Sequence, residues 1–205
     1  GGTDSNAGST SLSHVITGLT NGTAYTFTVT ATNSAGTSSA STASSAVTPS
    51  TTPTVTTPTS ASVDITTAAL GGNVTSTGGA SLTAVGVVYS ITAANNNPQL
   101  NGTGVTNVAV SGTPATGVFT LSALSLTPGT AYSYAAYATT IAGTAYTSVG
   151  TFTTAVPTPT LTFATPSAAS VAVGATQTNA VTSTLFGGSY GAISYTSSDL
   201  SKATV

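Results

Sequence analysis

Very few residues of this chain carry groups that could do acid–base or nucleophilic chemistry. The one histidine is His14, and the charged residues are Asp4, Asp64, Asp199 and Lys202. A Ser–His–Asp triad needs an acid that orients the histidine, and the sequence assigns none to His14. Glycoside hydrolysis needs two carboxyl groups close in space, whereas the three aspartates fall in three different predicted domains. The sequence therefore predicts no enzyme activity, and His14, in an alternating stretch, is predicted to lie on a strand surface.

The composition also argues against metal, cofactor and nucleic-acid sites. The chain has no cysteine, so thiolate metal sites and disulfides are excluded. Calcium usually needs clustered carboxylates, and the sequence shows no such cluster. With one lysine and no arginine, a basic patch that binds nucleic acid or a membrane surface cannot form. No apolar run approaches 18 residues, so no membrane-spanning helix is predicted in this segment.

The elements that would position any site are predicted from an internal repeat. The stretch LTNGTAYTFTVTATNSAG, residues 19–36, returns 107 positions later as LTPGTAYSYAAYATTIAG, residues 126–143. This spacing is too long for a solenoid unit of roughly 20–50 residues, but it is the size of a small domain. The repeat therefore predicts tandem domains.

Both copies of the repeat alternate apolar and polar residues with period 2, which is typical of a half-buried β-strand. The apolar set is predicted to face inward and the threonines to face water. In the first copy this inward set is Tyr25, Phe27, Val29 and Ala31, and in the second it is Tyr132, Tyr134, Ala136 and Ala138. Short strands between Gly, Pro and Asn turns predict an all-β sandwich.

The residues that the two copies share resemble the E–F region of fibronectin type III domains. The matching residues are Leu126, Pro128, Gly129, Thr130 and Tyr132 in the second copy, and Leu19, Gly22, Thr23 and Tyr25 in the first. The resemblance implies that each tyrosine is buried and bonds to backbone a few residues upstream, as in the tyrosine corner of immunoglobulin-like sandwiches. The segment from Ala69 to Ser90 likewise resembles the B and C strands of a bacterial variant of this fold.

The last third of the chain contains two further patterned stretches, VAVGATQTNAV from Val171 and ISYTSSDLSKATV from Ile193. These stretches resemble a different family, the bacterial immunoglobulin-like group 2 domain of adhesins. The matching motif residues are Ser197, Ser198, Asp199, Ala203, Thr204 and Val205.

Proline and threonine mark the predicted domain boundaries. The segments 49–58 and 156–166 are interpreted as short, semi-rigid extended linkers. The chain is thus predicted to hold the C-terminal half of a fibronectin type III-like domain at 1–49, a complete one at 53–155, and the N-terminal part of an immunoglobulin-like domain at 158–205.

This organisation predicts a structural repeat region of a bacterial extracellular surface protein, an adhesin stalk or filament at the cell surface. Its expected partners are copies of itself or neighbouring repeats in a fibre, with host or surface glycans and proteins as further candidates. The alternative is a non-catalytic spacer of a secreted bacterial glycoside hydrolase. A carbohydrate- or protein-binding module is a third class, for which Tyr132, Tyr134 and Tyr137 are the candidate aromatic residues.

Overall fold

The computed structural model describes residues 2–158 and the backbone of residues 160–163 and 181–184, and these are all-β. Throughout the described part of the chain there is no helix that could cross a membrane. The domain between the two predicted linkers is the most regular region. Its strands are β5 (Thr54–Ala61), β6 (Ala68–Ser76), β7 (Ala84–Ile91), β8 (Thr106–Ala109), β9 (Gly117–Ala123), β10 (Ala131–Thr140), β11 (Gly143–Tyr146) and β12 (Gly150–Thr153).

These eight strands form two antiparallel sheets. One sheet has the order β5-β6-β9, and the other has the order β11-β10-β7-β8, with β12 also pairing with β10. The strands resembling B and C are β6 and β7, and they lie in different sheets as that resemblance implies. Strand β10 joins the sheets into one sandwich, because it also packs against β5 and β6.

The core lies between the two sheets, and the second copy of the repeat supplies its centre. Tyr132, Tyr134, Ala136 and Ala138 are all buried, which confirms the inward set predicted for this copy. The Tyr132 ring stacks on Phe152 with ring centroids 5.4 Å apart. The other buried core residues are Val55, Ala68, Leu70, Val74, Val85, Val87, Tyr89, Ala123 and Leu126.

The opposite face of β10 is buried as well, so the prediction of a half-buried strand is wrong here. Ala135 and Tyr137 form a second apolar cluster with Val88, flanked by Leu100 and Tyr146. Tyr137 is only 1% exposed, and its hydroxyl donates to Asn107 Oδ1 over 2.9 Å. A covered ring cannot serve as a stacking surface, so Tyr137 is not available as an exposed sugar-binding aromatic.

The first predicted linker is shorter than the Pro/Thr-rich sequence suggests. Strand β5 begins at Thr54 and runs through Pro58, and Val55 is buried in the core. Proline is tolerated because β5 is an edge strand, and the N–H groups of an edge strand that point away from the sheet need no partner. The register against β6 also shifts between Thr56 and Thr59. Residues 49–53 alone therefore connect this domain to the preceding unit.

The N-terminal unit contains four two-residue strands, namely β1 (Thr3–Asp4), β2 (Ile16–Thr17), β3 (Thr32–Asn33) and β4 (Gly36–Thr37). The long strand predicted from Tyr25 is not regular, although its backbone is paired. Tyr25 bridges Val47, and the intervening residues pair with a chain segment that we call the serine ladder, Ser38, Ser41 and Ser44.

Each serine of this ladder contacts one residue of the facing strand twice. Ser41 N–H donates to Val29 O over 2.9 Å, and Ser41 Oγ accepts from Val29 N–H over 3.1 Å. Ser38 does the same with Ala31, and Ser44 with Phe27. Serines spaced by three thus pair with residues spaced by two, and the hydroxyl replaces the backbone carbonyl that a regular ladder would use.

The inward set predicted for the first copy is not buried in the described structure. Tyr25 and Phe27 are half-buried, and Val29 is 71% exposed. The equivalent residues of the middle domain lie in the core between two sheets, whereas the described residues of this unit form only the two-stranded sheets β1-β2 and β3-β4. The alternating pattern identifies a face that suits burial, but it does not supply the covering strands.

Two further strands, β13 (Thr160–Phe163) and β14 (Val181–Thr184), pair antiparallel. Strand β13 falls inside the second predicted linker, so residues 160–163 are strand and not linker. The motif residues of the predicted immunoglobulin-like group 2 domain, from Ser197 to Val205, lie outside the described residues.

Candidate functional site: the tyrosine corners and the domain junction

The turn before β10 is closed by a hydrogen bond to a buried tyrosine. Tyr132 is 5% exposed, and its hydroxyl oxygen accepts from Thr127 N–H over 2.9 Å. Leu126, just before Thr127, is buried and its N–H donates to Thr66 O. This is the contact expected of Tyr132 from the fibronectin resemblance. It ties the turn to Tyr132 in β10, five residues after Thr127.

Gly129 forms the tight part of the same turn. Its φ of +60° lies in the left-handed region, where a side chain is strained. A Cβ at this position would also lie 3.0 Å from Val156 Cγ2. The Gly129 N–H donates to Ala155 O over 3.2 Å, so the turn contacts the end of the domain.

The N-terminal unit has the same corner at the equivalent positions. Thr20 N–H donates to the Tyr25 hydroxyl over 3.0 Å, and this bond lowers the pKa of Tyr25. Gly22 has a φ of +79°, and its N–H donates to Pro49 O over 2.9 Å. The hydrogen bond is the one expected, but the expected burial of Tyr25 is wrong, since Tyr25 and Leu19 are only half-buried.

The first corner also forms the junction between the two units. Asn21 Nδ2 donates to Thr51 Oγ1 over 3.3 Å, and Thr51 N–H donates to Gly78 O over 2.9 Å. Gly78 lies in the turn between β6 and β7 of the middle domain. The connecting residues are therefore held by hydrogen bonds on both sides, to the preceding corner and to the following domain.

Gly79 allows the two units to approach this closely. A Cβ built on Gly79 would collide with the backbone N of Gly22 and would lie 2.7 Å from the carbonyl carbon of Asn21. Both neighbours are main chain, so they cannot move aside as a flexible side chain could. Any side chain at position 79 would push the corner away from the middle domain.

The structure pairs His14 with an acid that sequence reasoning missed. His14 Nδ1 lies 2.6 Å from Asp4 Oδ2, and Nε2 lies 3.0 Å from the main-chain oxygen of Ser11. The two residues are ten positions apart in the sequence, and the pairing of β1 with β2 brings their side chains together. The only signal in the sequence was their closeness along the chain. His14 lies in that loop, just before β2, and not on a strand surface as predicted.

The Asp4–His14 pair is an ion pair and not a catalytic triad. Each ring nitrogen faces an acceptor, so the protonated imidazolium is favoured and its pKa is raised, chiefly by the bond to Asp4. The same bond lowers the pKa of Asp4. The nitrogen that would activate a nucleophile is occupied by a carbonyl oxygen, which has no proton to give.

Among the described residues, no three His, Asp or Glu side chains lie close enough together to hold a metal ion. Asp64 forms no part of the Asp4–His14 pair. Its carboxylate accepts from Ile65 N–H in the turn between β5 and β6. Asp199 lies outside the described residues. The corner and junction residues interact through hydrogen bonds and packing contacts.

Comparison with known proteins gives similarity of structure only. No protein-family model and no curated protein sequence matches the chain. The sensor domain of the anti-sigma factor RsgI4 from Pseudobacteroides cellulosolvens is similar, with 16% identity, a TM-score of 0.39, and 50% of this chain and 94% of that chain covered.

Two similar structures contain named fibronectin type III domains. One is the domain of human fibronectin type III domain containing protein 3, with 18% identity, a TM-score of 0.34, and coverage of 55% and 92%. The other is the three-domain FN1–FN3 fragment of chicken CNTN1, with 16% identity, a TM-score of 0.37, and coverage of 69% and 45%. The described residues are all-β, and β-sandwich domains of the fibronectin type III kind are among the structures to which the chain is similar.

Proposed function

We propose that this chain is a structural repeat region of a bacterial extracellular surface protein and forms part of an adhesin stalk or filament. The observation that carries the proposal is the junction at Gly22, Thr51 and Gly79. Domains joined by a flexible linker move independently, whereas here the connecting residues are bonded to both neighbours. A stalk needs such junctions because its reach depends on successive domains keeping their angle.

The composition supports an exposed, structural role. The chain is rich in Thr, Ser, Gly and Ala, and it contains one lysine, Lys202, and no arginine. A trypsin-like protease would therefore find only one cleavage point in 205 residues. A net charge of −2 gives little repulsion between copies, and weak net charge favours association.

The experiment that tests this proposal is immunogold labelling of intact producing cells with antibodies raised against residues 1–205. A stalk or filament protein should be labelled without permeabilisation, along fibres or at a distance from the envelope. A spacer of a secreted glycoside hydrolase would instead be found in the culture fluid, copurifying with glycanase activity. Labelling that requires permeabilised cells would contradict the proposal.

A further inference from the structure

The edges of the middle domain are protected unequally. Unpaired strand edges invite pairing with another chain, and natural proteins block them with proline, bulges, charge or shortness. The edge strand β5 contains Pro58 and a register shift against β6. Strands β8 and β11, at the two ends of the other sheet, are only four residues long.

Strand β9 has none of these protections. It is seven residues long, GVFTLSA, with no proline and no charge, and it pairs with β6 in unbroken register from Gly117 to Ala123. It lies at the end of the sheet order β5-β6-β9, and no described residue other than those of β6 bonds to its backbone. Uncharged segments of this length with high β-propensity are typical of strands that associate.

The side chains of β9 are also incompletely covered. On the core side, Phe119 and Leu121 pack against the core cluster but are only partly buried. On the outer side, Val118 is 78% exposed. A further strand beside β9 would cover both sets.

We infer that β9 is a pairing edge for a second copy of this chain, related by a twofold axis through Thr120. Antiparallel pairing centred there is self-complementary, since it places Val118 opposite Ser122 of the second copy and Phe119 opposite Leu121. Phe119 and Leu121 would then cover each other on the core side of a continuous six-stranded sheet. The pairing supplies about six to eight new backbone hydrogen bonds, because alternate residue pairs of the two seven-residue strands exchange two bonds each.

The biological role of this pairing rests on the proposed function, because the pairing would join two stalks side by side. It closes on itself, as twofold contacts do, and so predicts dimers. The test uses purified protein, so its failure would leave the surface location of the chain untouched, and a failed labelling experiment would leave the dimer untouched.

The test is sedimentation equilibrium of the full 205-residue chain carrying charge substitutions at the twofold axis. Thr120 is exposed and would face its own copy, so Thr120→Lys and Thr120→Glu should each place like charges directly opposite. Each variant alone is expected to sediment as a monomer, at least tenfold weaker in self-association than the original chain. An equimolar mixture of the two should restore the dimer.

The matched control is Thr59→Lys. Thr59 and Thr120 are both paired with Gly71, so they share one face and one row at opposite edges of the same sheet. Thr59→Lys should dimerise like the original chain, and circular dichroism melting checks that every variant is folded. A monomeric original chain at about 1 mM would overturn the inference. So would a Thr120→Lys dimer, equal weakening by Thr59→Lys, or a folded mixture that stays monomeric.

Discussion

At the residue scale, Tyr132 and Tyr25 make the same hydrogen bond in different surroundings. Both hydroxyls accept a backbone N–H five residues upstream, with distances of 2.9 Å and 3.0 Å. Tyr132 is buried beneath the β5-β6-β9 sheet, whereas Tyr25 is half-exposed. The bond at Tyr132 is therefore expected to matter more for stability, because water can replace the lost hydroxyl more easily at Tyr25.

Replacing Tyr132 by phenylalanine should lower the free energy of unfolding of the middle domain by about 1 kcal/mol, the usual net value of one hydrogen bond. Urea denaturation measures this loss. Tyr134→Phe is the matched control, since Tyr134 is equally buried and its hydroxyl makes no hydrogen bond to another described residue. Equal losses in the two variants would show that the corner bond contributes nothing specific.

The Asp4–His14 pair predicts a pH dependence for the loop between β1 and β2. The pKa of His14 is raised by Asp4, so its contribution is complete below about pH 6.5 and is lost as the pH rises through the folded-state pKa. The pKa of Asp4 is lowered by His14, so its contribution is lost as the pH falls from about 3.9 through the folded-state value. The pair should stabilise the loop most between these limits.

An NMR titration of the His14 ring checks this prediction directly. The original chain should show a His14 pKa above 6.5, and Asp4→Asn should bring it back toward that value. Asp64→Asn should leave it unchanged, because Asp64 bonds in a different domain. A His14 pKa at or below 6.5 in the original chain would show that the pair does not form in solution.

At the element scale, the serine ladder shows how a strand can be paired without being regular. Ser41 Oγ accepts from Val29 N–H and donates to Thr42 O, so one hydroxyl forms hydrogen bonds with two backbone groups. Alternation in the sequence predicted a strand here, and it correctly found the residues that pair. It could not predict the three-to-two spacing, which depends on side-chain hydroxyls of a segment about ten residues away.

Removing one hydroxyl of the ladder should leave the backbone N–H that donates to it without an acceptor. Ser41→Ala should speed hydrogen exchange of the Val29 amide about fivefold, the effect of losing roughly 1 kcal/mol of local protection. Ser39→Ala is the control, since the Ser39 hydroxyl bonds to no described residue and lies in the same exposed segment. Unchanged Val29 exchange in Ser41→Ala, or the same change in both variants, would contradict this role for the hydroxyl.

Strand β10 shows the complementary limit of sequence reasoning. Its inward set was predicted correctly, because period-2 alternation reports one buried face. Burial of Tyr137 on the other face was missed, since the covering residues Leu100 and Val105 lie in a distant loop. The Asp4–His14 pair was missed as well, because the two side chains meet only when β1 pairs with β2.

At the scale of the whole molecule, the repeat predicted the tandem arrangement, and the structure adds the way in which the units meet. The Pro/Thr sequence predicted a linker of ten residues, but β5 uses half of it as strand. What is left, residues 49–53, is bonded to Gly22 on one side and Gly78 on the other. These bonds on both sides are expected to keep the first unit and the middle domain in a fixed relative position.

The most direct test is the distance between the two units, measured by double electron–electron resonance. The chain has no cysteine, so Thr28→Cys and Thr151→Cys, at exposed positions of the two units, would carry the only spin labels. Dilution with unlabelled chain removes distances between copies. We expect one narrow distance distribution, which Gly79→Val should broaden because a side chain there collides with the backbone at Gly22. A broad distribution in the original chain, unchanged by Gly79→Val, would contradict the rigid junction.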